Sequence, residues 1–160
     1  MASRKSPLQK LFIDRQPVLT DMPIRMIARY GHGKMLVPTP RQVDEIIREI
    51  PAGSVRTVSE LREELGQRSG SATACPLCTG IFWRLSAEAA PDHPDGPAPY
   101  WRVVKDGGGL NEKLPGGLED HARRLEEEGH TIRRNGKGAP AVKPMEGQSS
   151  IAASKIPSKT

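Results

Sequence analysis

Between Thr39 and Gly129 the apolar residues recur at spacings of three and four in four separate runs, each bounded by capping or breaking residues. This alternation of helical period and punctuation limits the segment to a small set of packed helices with short connections. Thr39 is placed to cap the first run and Pro40 to open it, since the missing N–H of proline would be unpaired there anyway. Val43, Ile46, Ile47 and Ile50 then form one stripe, ended by Pro51-Ala52-Gly53. Thr57 and Glu60 have capping-box spacing for a second helix with Leu61 and Leu65 facing inward, and Gly66 is expected to end it. A third helix is expected from Ser71 or Thr73 to about Ala90, with Ala74, Leu77, Cys78, Ile81 and Leu85 on its buried face and Pro76 in its first turn. Pro91 to Pro99 reads as a loop. Tyr100 to Val104 reads as a short strand and Asp106 to Gly109 as a turn. Leu118, Ala122 and Leu125 make a fourth helix closing at Gly129, before a short strand over Thr131 to Arg134.

These elements predict a mainly α chain, a winged helix-turn-helix with a short β-wing over 38–134. Residues 1–37 show no sustained periodicity and are expected to be a disordered basic extension. Residues 135–160, rich in Lys, Pro, Gly and Ser, are expected to be a disordered tail.

Charge sharpens this division. Residues 1–37 hold seven Lys/Arg against two Asp/Glu, residues 38–134 thirteen against sixteen, and residues 135–160 four against one. The net charge of +5 therefore reports the arms, and the folded centre is acidic on balance. Long-range attraction to phosphates falls to the arms, while the centre must rely on locally placed arginines and helix N-termini. No apolar run reaches the length of a membrane span. The basic extension lacks the apolar stretch of a secretory signal, so a cytoplasmic protein is expected, with a transit peptide as the alternative. Two cysteines three apart cannot staple a chain of 160 residues.

Two stretches carry a resemblance. Ile50-Pro51-Ala52-Gly53-Ser54-Val55-Arg56-Thr57 and Pro99-Tyr100-Trp101-Arg102-Val103 resemble the Ile-Pro-x-Gly-x-Val-x-Thr and Pro-Cys-His-Arg-Val runs of the alkylguanine-DNA alkyltransferases. The likeness covers roughly residues 40–134, the DNA-binding half of such proteins. In that family the cysteine accepts an alkyl group from a damaged guanine. Here Tyr100 stands at the cysteine and Trp101 at the histidine. A neutral phenol is a poor acceptor beside a histidine-activated thiolate. The resemblance therefore implies the alkyltransferase-like branch, whose members bind alkylated DNA without repairing it and hand the site to excision repair. Val58 occupies the place of the nucleotide-flipping tyrosine. Ala72-Thr73-Ala74 occupies that of Ala-Arg-Ala, so Thr73 stands for the arginine finger. The family's Asn-Pro is absent from the 91–99 loop. Glu128 matches the glutamate that supports the histidine, and Trp101 can offer it one N–H.

The implied DNA contacts are Thr57, Ser59, Arg68, Ser71, Thr73 and Arg84, with the helix from Ser71 entering a groove. The implied remnant lesion pocket is Val58, Tyr100, Trp101, Arg102 and Glu128. Double-stranded DNA and excision-repair proteins are the expected partners of a monomer without catalytic residue, metal or cofactor. Two alternatives stand beside this reading: a regulatory or protein-interaction module that reuses the fold, and a thiol enzyme using Cys75. Cys75-Pro76-Leu77-Cys78 has the spacing of a redox dithiol or half a zinc site, against the bland reading of structural packing. Tyr100 and Trp101 have two readings: rings that line a pocket for a modified base by stacking, or rings packed under the wing.

Overall fold

The computed structural model describes residues 4–134 and 140–143. The chain is mainly α, and the described residues form six α-helices with a few short strands. The helices are α1 (Pro7–Leu11), α2 (Ile24–Tyr30), α3 (Pro40–Arg48), α4 (Val58–Arg68), α5 (Pro76–Ala89) and α6 (Gly117–Glu127). The strands are β1 (Val18–Asp21), β2 (Lys34–Val37), β3 (Arg56–Thr57), β4 (Thr73–Ala74), β5 (Val103–Val104), β6 (Ile132–Arg133) and β7 (Ala141–Val142).

The helix-start chemistry appears as the sequence predicts. Thr39 accepts from the Gln42 N–H while the Gln42 side chain accepts from Thr39, and Thr57 and Glu60 make the same reciprocal pair. Val43, Ile46, Ile47, Ile50, Leu61 and Leu65 are all buried, in one cluster with Trp83, Ala87, Tyr100 and Val103. A second cluster joins Val55, Val104 and Leu110 to Ala122 and Leu125 of α6 and to Val142. α3 also carries a buried acid, Asp44, which accepts from Ser86 Oγ at 2.5 Å and from Arg48 Nε at 2.9 Å. This charge-assisted pair pins α3 to α5, and its polar side chain gives no hint of burial in an apolar pattern.

Four expectations are corrected. First, residues 4–37 are not a disordered arm. Ser6 and Gln9 form a capping box for α1, and Leu11 is fully buried. β1 pairs antiparallel with β2 from Val18↔Val37 to Asp21↔Lys34, and β2 pairs parallel with β4, giving sheet order β1-β2-β4. Met22, Met26 and Met35 form a cluster of their own with Cys75 packed against it. Elements of four to seven residues are too short to show a period; backbone pairing orders the strands, and burial of Leu11 and Met26 orders the helices.

Second, Gly66 does not end α4, which continues to Arg68. Its role is steric: a Cβ there would lie 2.5 to 2.7 Å from the backbone of Thr73, so only glycine lets β4 run against the helix.

Third, the third helix begins at Pro76, because Thr73 and Ala74 are held in β4 by Met35 and Leu36. Its buried face is Trp83, Leu85, Ala87 and Ala89, while Leu77 is 69% and Ile81 53% exposed.

Fourth, no β-wing hairpin forms over 100–109. Tyr100 to Arg102 is a 3-10 turn, and β5 pairs in parallel with β3, at Arg56↔Val103 and Thr57↔Val104. The Gly107-Gly108 loop, with both residues at positive φ, closes between Lys105 and Gly109. Beyond it Gly109 bridges to Ala141, and β7 pairs antiparallel with β6. Residues 140–143 of the expected tail are thus ordered by strand pairing, and the rest of that tail lies outside the described residues. No helix among the described residues is long and apolar enough to cross a membrane.

Candidate nucleic-acid interface

The five residues of the implied lesion pocket separate into three places. Trp101, Arg102 and Glu128 form a closed hydrogen-bonded knot. Trp101 Nε1 donates to Glu128 Oε2 at 3.0 Å, and Arg102 reaches the same carboxylate through Nε and at 2.7 Å through Nη2. Arg102 Nη1 also donates to the Ile50 carbonyl at 2.7 Å, tying the Pro99–Val103 run to the Ile50–Thr57 run. Burial pushes the Glu128 carboxyl up, but the hydrogen bonds from Arg102 and Trp101 outweigh it and hold it below the usual range. Trp101 gives its single N–H to Glu128, and the guanidiniums of Arg124 and Arg102 lie 5.0 and 5.5 Å from its ring centre. Both guanidiniums are within cation–π range of the ring.

Tyr100 is buried and meets Trp101 edge-on at 5.2 Å. It lines a cavity of about 560 Å³ together with Pro91, Pro97, Pro115, Asp120 and Arg124. Burial pushes the phenol pKa up, so Tyr100 carries its proton at neutral pH. Val58 lies elsewhere, in a groove of about 340 Å³ whose wall also holds Leu77, Ile81, Arg84, Lys105 and Lys113. This groove has three cationic side chains and no carboxylate in its lining. It forms where the N-termini of α4 and α5 meet Lys105, Asn111 and Lys113. Sequence reasoning missed Lys105 and Lys113, since two lone lysines flanking a loop carry no pattern until the fold brings them beside Arg84.

The expected DNA contacts also divide. Arg84 lies on the groove, its Nε paired with Glu88 at 2.8 Å. Thr57 and Thr73 are corrected: both are completely buried, Thr57 as the cap of α4 and Thr73 in β4, and neither offers a side chain to a phosphate. Ser59 is buried too, with its N–H and hydroxyl both given to Asp106, at 3.1 and 2.5 Å. Ser71 reaches the carbonyls of Gly66 and Thr73, which fixes the α4–β4 turn. Arg68 is exposed but lies in ion pairs with Glu49 and Glu64.

Cys75 caps α5 without a side-chain hydrogen bond and packs beside the methionine cluster. The Cys78 thiol is pushed up to about 11 by burial and by its contact with Cys75. No group of three metal-binding side chains occurs among the described residues.

His121 is a structural centre. Its Nδ1 accepts from the Asn111 N–H at 3.2 Å and its Nε2 faces the Trp101 carbonyl at 3.0 Å, so the ring is neutral with the proton on Nε2. Burial pushes the pKa of both His121 and His130 below the ordinary histidine value. In the unfolded chain each takes a proton near pH 6.5, whereas the folded chain resists it, so stability is present above that pH and is lost as pH falls through the folded values. The melting temperature is expected to fall as pH drops from 7.5 to 5.5. Each histidine adds up to about 1.4 kcal/mol per pH unit to the slope. His121→Gln should flatten it, and a melting temperature constant over this window would contradict the assignment.

No protein-family model and no curated protein matches the chain. Solved structures are similar to it, two of them S. pombe proteins in complex with DNA. One is S. pombe Atl1 in complex with damaged DNA containing O6-carboxymethylguanine, at 24% identity and a TM-score of 0.49, with 65% of this chain and 87% of that chain covered. The other is S. pombe ATL in complex with DNA, at 25% identity and the same TM-score and coverage.

Proposed function

We propose that this chain is a non-enzymatic, alkyltransferase-like protein that binds double-stranded DNA. The observation that carries the reading is the groove of Arg84, Lys105 and Lys113, which gathers positive charge at the N-termini of two helices in a segment that is acidic on balance. Helix N-termini and cations together favour a phosphate backbone. In this reading α4 and α5 take the helix-turn-helix role, the N-terminal half of α5 faces the duplex, and the loop bearing Lys105 stands where a wing would. The Tyr100 cavity is the place for an altered base. It offers apolar walls, a neutral phenol and the Arg124 guanidinium, and no activated nucleophile.

A duplex carrying a labelled O6-alkylguanine tests both halves of this proposal. Binding is expected, with tighter binding to the altered duplex and no label on the protein after incubation. Transfer of label to any side chain would overturn the non-enzymatic reading, and transfer to Cys75 would favour the thiol alternative. A second reading, a protein-interaction module, is favoured by the exposure of Leu77 and Ile81 in the same groove. Failure to bind any duplex at low salt would move the assignment there.

A further inference from the structure

The cationic face does not stop at the groove. A second cavity of about 260 Å³ adjoins it, lined by Arg25 and Arg29 of α2, by Ser59 and Arg62 of α4, and by Pro76 and Asp106. Pro76 lines both cavities. The chain neighbours Val58 and Ser59, and likewise Lys105 and Asp106, are divided one to each. The two cavities therefore flank Pro76 and the N-termini of α4 and α5. Tyr30 organises the second one, with the guanidiniums of Arg29 and Arg62 lying 5.3 and 6.0 Å from its ring centre.

Two carboxylates lie nearby and offset part of this charge. Asp106 accepts both hydrogen bonds from Ser59, and Glu63 accepts from Arg29 at 3.4 Å and from the Tyr30 hydroxyl at 3.3 Å. Arg62 Nε is used by the Ala74 carbonyl, which aims the guanidinium and leaves its charge in place. Arg25 makes no ion pair among the described residues, and no side chain caps α5. Three guanidiniums beside an uncapped helix start form a site for an oxyanion, and planar forked donors match phosphate geometry.

We propose that the arginine cavity of α2 and α4 is a second contact for the backbone phosphates of the duplex held in the groove. The N-terminal segment, which the sequence motifs do not include, thereby lengthens the DNA-binding face from three cationic side chains to six. This inference rests on the DNA-binding reading above. It assigns Arg25 and Arg29 by position: their charge acts because α2 holds it beside Pro76.

Duplex binding by the full chain, measured by fluorescence anisotropy across a series of NaCl concentrations, tests it. Three double variants are compared: Arg25→Ala with Arg29→Ala, Arg84→Ala with Lys113→Ala, and Arg4→Ala with Lys5→Ala as a control of equal charge. Each phosphate contact contributes about 0.9 to the slope of log affinity against log salt. The α2 variant is expected to lose up to about 1.8 from that slope with its melting temperature little changed, and the control is expected to keep it. An unchanged slope in the α2 variant with a flattened slope in the groove variant would overturn the inference and leave the DNA-binding reading intact. Equal flattening in the control would also overturn it, because net charge alone would then account for the effect. No duplex binding by the unaltered chain would remove both.

Discussion

Glu128→Ala is expected to lower the unfolding free energy by about 3 kcal/mol, near the low end for breaking a buried ion pair by removing one partner. Glu128 and Arg102 side chains are each only 16% exposed, so neither is rehydrated by a small movement. Removing the carboxylate strands the Arg102 guanidinium and leaves Trp101 Nε1 without its acceptor. It also loosens the junction at Ile50 and Gly53, because Arg102 and Glu128 both reach the backbone there. Glu128→Gln keeps an acceptor for Trp101 and loses the charge, and it should cost less than Glu128→Ala. Urea unfolding of the two variants beside the unaltered chain measures this. A cost below about 1 kcal/mol for Glu128→Ala would mean that the knot is effectively solvated, as surface pairs are.

Gly66→Ala is expected to be the second large effect, with a sign opposite to the usual one. In the middle of an exposed helix the change from Gly to Ala stabilises by about 1 kcal/mol. At position 66 the added methyl would meet the N, Cα and C of Thr73 at 2.5 to 2.7 Å. Backbone cannot rotate away as a side chain can, so β4 must separate from α4 and from its partner β2. Overpacking of this kind costs about 1–3 kcal/mol, and a contact against main chain lies at the top of that range or beyond it. Thermal melting reads the outcome directly. A variant as stable as the unaltered chain would show that β4 is not held against α4. The damage should spread to the 340 Å³ groove, since β4 leads into α5.

The two predictions mark the difference between what was legible along the chain and what was not. Thr39, Thr57, Glu60 and the Ile/Val/Leu stripes act through neighbours three and four residues away, so their roles can be read from spacing. The pairing of Glu128 with the position of Trp101 was legible as well, through the family resemblance. Gly66 was legible as special but for the wrong reason. A helix-ending glycine and a glycine at a close crossing look alike in sequence, and only the course of residues 73–74 separates them.

The candidate site divides along the same line. Arg84 was named from sequence and lies on the groove. Thr57, Ser59 and Thr73 were named with it, yet their polar groups are spent on a helix cap, on Asp106 and on β4. Small hydroxyl residues serve turns and caps as readily as phosphates, and their partners decide which. Lys105, Lys113, Arg25 and Arg29 carried no signal, since each is an ordinary exposed cation until the chain folds.

By itself, then, the sequence determined the helical centre: where α3, α4 and α6 run, how α3 and α4 begin, and which faces they bury. These are consequences of local spacing and residue chemistry, which need no distant partner. The tertiary structure alone decided that residues 4–37 join the fold through β2 and β4. It decided that α5 buries Trp83 rather than Leu77, that Arg84, Lys105 and Lys113 line one groove, and that Arg25, Arg29 and Arg62 line a cavity touching the same Pro76. Strand pairing and charge convergence depend on residues tens of positions apart, and the free energy that selects them comes from backbone hydrogen bonds and burial that exist only once the chain has closed on itself.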